Sequence, residues 1–166
     1  MSISKYKISG TPWIGGKYTI TDEHDLLVCE AKRKTFSLRS KAEIFDSFGE
    51  SVFTIRRKLF SFAETYFIYD KDQPVYRIRK ARFSLRSNVF VEALYNRDAF
   101  EIQGDIWGME YSFYRYKKAF AKVSKKMWSF SSHYGVAVED KEDEILIMAV
   151  VITLDLIKRR KRRKRS

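Results

Sequence analysis

His24, His133 and Cys29 are the side chains of this 166-residue chain best suited to nucleophilic or proton-transfer chemistry. Such chemistry needs a nucleophile with a base positioned to activate it. His24 lies in Asp22-Glu23-His24-Asp25, a turn sequence, and His133 in Ser131-Ser132-His133-Tyr134; neither belongs to a recognisable catalytic constellation. Cys29, in Leu27-Val28-Cys29-Glu30, reads as a small buried strand residue rather than a reactive thiol. A single cysteine also excludes an intramolecular disulfide framework and a multi-cysteine zinc site, which fits a reducing cytosol. Gly15-Gly16-Lys17 is too short for a phosphate-binding loop, which needs an eight-residue pattern leading into a helix. No catalytic, cofactor-binding or metal-ligating residue is assigned, and no enzyme is expected.

The basic residues are more informative. Lys and Arg total 33 against 21 Asp and Glu, for a net charge of +12. Eight of the cations form one uninterrupted run, Lys158, Arg159, Arg160, Lys161, Arg162, Arg163, Lys164 and Arg165; without it 25 basic residues face 21 acidic ones, a balance of only +4. Self-repulsion predicts a disordered polybasic tail over 158–166. Near an anionic leaflet each cation contributes about 1 kcal/mol, enough in sum for reversible attachment. Nucleic acid would attract the run equally, through counterion release. The bland alternative is a solubilising terminus.

A second signal is repeated. The pattern basic-x-x-aromatic-Ser-apolar occurs as Arg33-Lys34-Thr35-Phe36-Ser37-Leu38, Arg57-Lys58-Leu59-Phe60-Ser61-Phe62, Lys80-Ala81-Arg82-Phe83-Ser84-Leu85 and Lys125-Lys126-Met127-Trp128-Ser129-Phe130. Aromatic residues among cations can stack bases while neutralising phosphates. Here, however, each aromatic stands two residues from an apolar side chain, which places both on one face of a strand. Phe36, Phe60, Phe83 and Trp128 are therefore expected in the core. Arg57, Lys58, Arg77, Arg79, Lys122 and Lys126 are expected outside, as candidates for a head-group groove.

These residues must be held by a mainly β domain. Val52-Phe53-Thr54-Ile55-Arg56, Tyr76-Arg77-Ile78-Arg79 and Phe100-Glu101-Ile102-Gln103 alternate apolar and polar, as half-buried strands do. Turn signals separate them, and Asp22, Asp46 and Asp70 recur at intervals of 24. About a dozen strands from Ile3 to Val138 predict a meandering antiparallel barrel or sandwich. Hydrophobic residues make up 45% of the chain, with only 7 Gly and 2 Pro, which calls for one compact core. The N-terminus lacks the apolar stretch of a secretory signal, so a cytoplasmic protein is expected.

After the acidic segment Glu139-Asp140-Lys141-Glu142-Asp143-Glu144 comes Ile145 to Ile157, apolar on every face except at Thr153 and Asp155. Acidic leader and basic trailer complement a helix dipole, predicting a helix from about Lys141 to Lys158. Thirteen residues rise about 20 Å, short of the ~30 Å hydrocarbon core, so burial within the protein is the expected outcome. Asp155, near the negative end of that helix, should meet a barrel Arg or Lys or emerge at the barrel mouth.

The repeated units, such as Tyr66-Phe67-Ile68-Tyr69-Asp70 followed by Val75-Tyr76-Arg77-Ile78-Arg79-Lys80, together with the terminal apolar helix, resemble the LURP-one-related family of the Tubby-like and phospholipid-scramblase superfamily. The resemblance runs from about Lys5 to Ile157. It implies a closed antiparallel barrel of about twelve strands enclosing a central hydrophobic C-terminal helix, with residues 1–157 as one domain. Tubby domains bind phosphoinositide head groups, and with the polybasic tail and no catalytic constellation the expectation is a non-enzymatic binding or scaffold module for anionic phospholipid surfaces or phosphoinositide-like head groups, peripheral at the inner membrane surface. A nucleic-acid-associated regulatory protein and a scramblase-like lipid-handling protein are the alternatives. The scramblase calcium segment precedes the terminal helix, but the acidic residues here lack the ligand spacing and central Gly of an EF-hand-like loop, and no metal is assigned. Protein partners are not specified by the resemblance.

Overall fold

A computed structural model describes residues 2–11, 16–34, 36–80, 89–95, 98–127, 133–139 and 144–163. Twelve antiparallel strands follow in chain order: β1 (Ser4–Thr11), β2 (Lys17–Asp22), β3 (Leu27–Arg33), β4 (Ser40–Asp46), β5 (Ser51–Arg57), β6 (Thr65–Asp70), β7 (Gln73–Lys80), β8 (Val89–Ala93), β9 (Phe100–Asp105), β10 (Glu110–Arg115), β11 (Lys118–Ser124) and β12 (His133–Val138). Each pairs with its neighbours in sequence, and β1 pairs with β12, so the sheet closes into the expected barrel. Closure leaves no unpaired edge to template aggregation.

The 24-residue recurrence of Asp has a local cause. Asp22 Oδ1 accepts hydrogen bonds from the backbone N–H groups of His24 and Leu26 at 2.8 and 2.9 Å. Asp46 Oδ1 does the same for Phe48 and Glu50, both at 2.9 Å. Each carboxylate thus organises the hairpin that follows its strand. Gly49 in the second of these turns has φ of +85°, a conformation that costs glycine little.

Strand alternation sets the core. Tyr6 and Ile8, Tyr18 and Ile20, Phe53 and Ile55, Tyr66 and Ile68, and Tyr76 and Ile78 all point inward and are buried. The barrel encloses α1 (Glu144–Arg163). Every residue from Leu146 to Ile157 is buried, a length of about 18 Å at 1.5 Å per residue. Strands of five to eight residues, tilted as barrel closure requires, span about the same height. The β-branched run Val150-Val151-Ile152-Thr153 would favour a strand in isolation; here burial on all sides decides for helix. Thr153 Oγ1 donates to Ala149 O at 2.8 Å, satisfying a fully buried hydroxyl.

The helix lies nearest β3 to β6, where small inward residues, Cys29, Ala31 and Ala42, make room. Aromatic rings line the wall beyond β6: Tyr76 meets Phe100 and Phe100 meets Phe113 in tilted contacts at centroid distances of 6.0 and 5.8 Å, and Tyr111 meets Phe113 at 5.9 Å.

The helix was expected to end near Lys158; it continues to Arg163. The first six residues of the basic run are therefore helical rather than extended, because a buried helix supplies a ready nucleus and elongation from it is inexpensive. Among the described residues no helix is long and apolar enough to cross a membrane.

Candidate functional site

Chain direction gives the barrel two unlike ends. The hairpins after β2, β4 and β6 turn at one end and carry Asp22, Glu23, Asp25, Asp46, Glu50, Asp70 and Asp72 against Lys71. Helix α1 enters there: Tyr6, near the start of β1, donates its phenolic hydrogen to Glu144. At the other end β3 and β5 finish, β4 and β6 begin, and α1 leaves the barrel.

Asp155 marks that exit. Its Oδ2 accepts a hydrogen bond from Tyr18 Oη at 2.5 Å and another from Arg159 Nε at 2.5 Å. The basic partner is therefore not a barrel Arg or Lys, as expected, but Arg159 on the helix's own next turn, and the barrel contributes a tyrosine. Burial raises the Tyr18 hydroxyl well above the ordinary phenol range, and the adjoining Asp155 carboxylate adds to the effect. Burial alone would lower Arg159, but the bond and charge of Asp155 together with Tyr18 outweigh that and hold the guanidinium more firmly protonated. One residue on, Arg160 Nη1 reaches Glu64 Oε1 at 3.4 Å, tying the helix to the segment between β5 and β6.

The exit end is cationic beyond the helix. Arg33 closes β3, Arg57 closes β5, and Lys41 lies near the start of β4. Alternation with Cys29 and Ala31 on β3, and with Phe53 and Ile55 on β5, puts Arg33 and Arg57 on the inward side of the rim, so Arg57 is not on the exterior where it was expected. The three are close enough to act on one another: Lys41 is held below the usual lysine value first by burial, then by Arg57 and Arg33. Lys41 Nζ donates to Ser37 O at 3.2 Å, and Lys34 pairs with Glu43 at 2.5 Å.

The aromatics of the repeated units are not where alternation placed them. Phe36 and Phe60 were expected in the core, yet they are 104% and 93% exposed, and their apolar companions Leu38 and Phe62 are 78% and 97% exposed. The reason is that β3 ends at Arg33 and β5 at Arg57, so both units lie in the connections that follow, where the two-residue period no longer applies. Phe83 and Trp128 fall outside the described residues.

The six candidate groove cations are distributed rather than convergent. Arg57 and Lys58 stand at the exit end. Arg77 and Arg79 lie on the outer face of β7, both bound to Glu92 of β8; the Arg77 Nε to Glu92 Oε2 distance is 2.7 Å. Lys122 is exposed on β11 and Lys126 follows in a turn of 3-10 helix. Four strand spacings separate β7 from β11, about 19 Å along the wall, so no one groove holds all six.

Of the remaining candidates, His24 and Cys29 lie within the described side chains. His24 is exposed, 3.9 Å from Glu23, while the His133 side chain lies outside the description. The buried Cys29 thiol is pushed up to about 12, chiefly by desolvation, and is not a thiolate near neutrality. Among the described residues no group of three or more His, Cys, Asp or Glu side chains is placed to hold a metal ion; residues 140–143 of the acidic segment fall outside them. Of the polybasic run, Lys164 and Arg165 are likewise outside the description, as are the side chains of Lys161, Arg162 and Arg163.

The chain is similar to the uncharacterised protein YxjI of Bacillus subtilis (strain 168), 26% identical over 140 residues that cover 84% of each protein. Its fold matches the X-ray structure of a protein from Arabidopsis thaliana, with a TM-score of 0.68 over 93% of this chain and 91% of that one, at 20% sequence identity. Residues 5–155, from the first inward tyrosine's neighbour on β1 to the buried aspartate of α1, match the family model described as LURP-one-related, and the chain belongs to that family.

Proposed function

We propose that this protein is a non-enzymatic binding module that attaches peripherally to anionic phospholipid surfaces, at the cytoplasmic face of a membrane, through its exit end. One observation carries the reading: Lys158 to Arg163 of the polybasic run continue a helix buried in the barrel and emerge where the adjoining strand ends also carry cations. A cationic segment fixed to a rigid body orients that body on a negatively charged surface, at about 1 kcal/mol per cation close to it. The acidic hairpin end would be repelled by the same surface.

The test is co-sedimentation of the full chain and of residues 1–160 with neutral and anionic vesicles across a salt series, with duplex DNA as competitor. Truncation after Arg160 preserves the Arg159 and Arg160 contacts with Asp155 and Glu64. The full chain should bind anionic vesicles only, with binding lost as salt rises, and the truncated chain should bind at least about tenfold more weakly. Equal binding to neutral and anionic vesicles, or to neither, overturns the reading. Preferential retention on DNA in the presence of vesicles supports the nucleic-acid alternative instead.

A further inference from the structure

We infer that the two apolar connections at the exit end, carrying Phe36 and Leu38 between β3 and β4 and Phe60 and Phe62 between β5 and β6, insert into the interfacial layer of an anionic bilayer. This rests on the proposed membrane reading and gives it a contact surface and an orientation. Four large apolar side chains between 78% and 104% exposed, on neighbouring connections of one barrel end, need an occupant that water does not supply. Each pair is flanked by cations, Arg33, Lys34 and Arg39 around the first, Arg57 and Lys58 before the second. Apolar tips ringed by cations match a leaflet whose acyl boundary lies beneath a layer of phosphates.

Phe48 is also 90% exposed, in the turn between β4 and β5, but its neighbours are Asp46 and Glu50 at the acidic end, where an anionic surface is repelled. A phenylalanine is thus exposed at both ends, but the one at Phe48 is flanked by carboxylates and those at the exit end by cations. A single-stranded nucleic acid would also welcome cations, but it binds aromatic faces by stacking. Leu38 has no such face, whereas aliphatic and aromatic side chains serve insertion equally.

Orientation follows. With both connections immersed, the axis of α1 points toward the leaflet and the helical cations Lys158 to Arg160 stand at head-group level. The Asp22, Asp46 and Asp70 hairpins are held farthest away. Attachment of this kind needs no movement of Leu146 to Ile157 out of the barrel.

The experiment labels the full-length protein at single introduced cysteines with an environment-sensitive fluorophore. Native Cys29 is fully buried and does not compete for label. Phe36→Cys and Phe62→Cys report on the proposed tips, and Phe48→Cys, equally exposed, reports on the opposite end. With phosphatidylserine-containing vesicles, emission at positions 36 and 62 should shift to the blue and be quenched by spin-labelled lipid, and emission at 48 should do neither. The fourfold variant Phe36→Ser, Leu38→Ser, Phe60→Ser, Phe62→Ser should bind these vesicles at least about tenfold more weakly, with an unchanged unfolding midpoint because all four side chains are exposed. Vesicle binding without a shift or quenching at 36 and 62 overturns insertion and leaves electrostatic attachment standing. Absence of binding overturns both. Quenching at 48, or a shift at 36 and 62 produced by single-stranded DNA and not by vesicles, also overturns the inference.

Discussion

The Asp155 carboxylate of α1 accepts a hydrogen bond at 2.5 Å from the phenol of Tyr18 at the start of β2, 137 residues away in sequence. It joins the last buried turn of the helix to the barrel wall at the point of exit. A negative group near the C-terminal end of a helix is unfavourable by itself, since the dipole there is already negative. Tyr18 and Arg159 offset that cost. Substitution of Asp155 by Ala should therefore destabilise the protein by about 2–4 kcal/mol, because it leaves a buried phenol and a half-buried guanidinium without their acceptor. Chemical denaturation with a shared m-value checks this; a loss under 0.5 kcal/mol would show that the exit is held by apolar packing alone.

Two tyrosines near this pair, Tyr111 buried and Tyr134 half-buried, behave oppositely. The hydroxyl oxygens of Tyr111 and Tyr134 are sequestered with no hydrogen-bond partner among the described residues. Burial, with Asp155 as the next contribution, raises both above the ordinary phenol range. Removing an unpaired buried hydroxyl relieves a desolvation cost, whereas removing a paired one does not. Tyr111→Phe should leave stability unchanged or raise it by up to about 1 kcal/mol, and Tyr18→Phe should lower it by about 1–2 kcal/mol. Thermal unfolding of the two variants side by side gives the sign directly.

Cys29 reports on barrel closure. Its thiol is fully buried and protonated at neutral pH. Native protein at pH 8 should resist alkylation by iodoacetamide, and the thiol should react in full once the protein is unfolded in guanidinium. The raised value also has a pH consequence. A thiol raised in the fold contributes stability that is complete below its unfolded value of 9.0 and is lost as pH rises toward about 12. A Cys29→Ala variant should therefore lose less stability than the native chain over that alkaline interval.

Glu92 provides the complementary acid test. Burial alone would raise its carboxyl, but Arg77 and Arg79 outweigh that and bring it below the usual glutamate value of 4.5. A depressed carboxyl contributes stability that is present above its unfolded value and is lost as pH falls through the folded one. Glu92→Gln should thus cost about 0.5–1 kcal/mol at pH 7, and the difference from the native chain should shrink below pH 4.5. High salt should reduce it at any pH.

Much of the barrel was legible because its strands alternate cleanly and its hairpins carry a self-sufficient signal in Asp22 and Asp46. The helix was legible from an apolar run too short for a bilayer and flanked by opposite charges. Its extension through Lys158 to Arg163 was not, because like charges in sequence argue for an extended chain, and only the continuity with a buried helix reverses that. Phe36 and Phe60 were misplaced for a related reason: a period of two is meaningful only within a strand, and where β3 and β5 stop is decided by barrel height. The grouping of Arg33, Lys41 and Arg57 at the helix exit depends on strand order around the barrel, which spacing along the chain does not contain. Arg77 and Arg79 were recognised as exterior, but Glu92, the residue that binds both, comes from the next strand.

The central claim is that the exit end faces an anionic surface while α1 stays in the barrel. Amide hydrogen exchange of the full-length protein with and without phosphatidylserine-containing vesicles tests it most directly. New protection should appear at 36–39, at 58–64 and along 158–163, with the strands and residues 146–157 unchanged. Protection centred on the hairpins after Asp22, Asp46 and Asp70, or faster exchange in the strands that surround the helix, would contradict it.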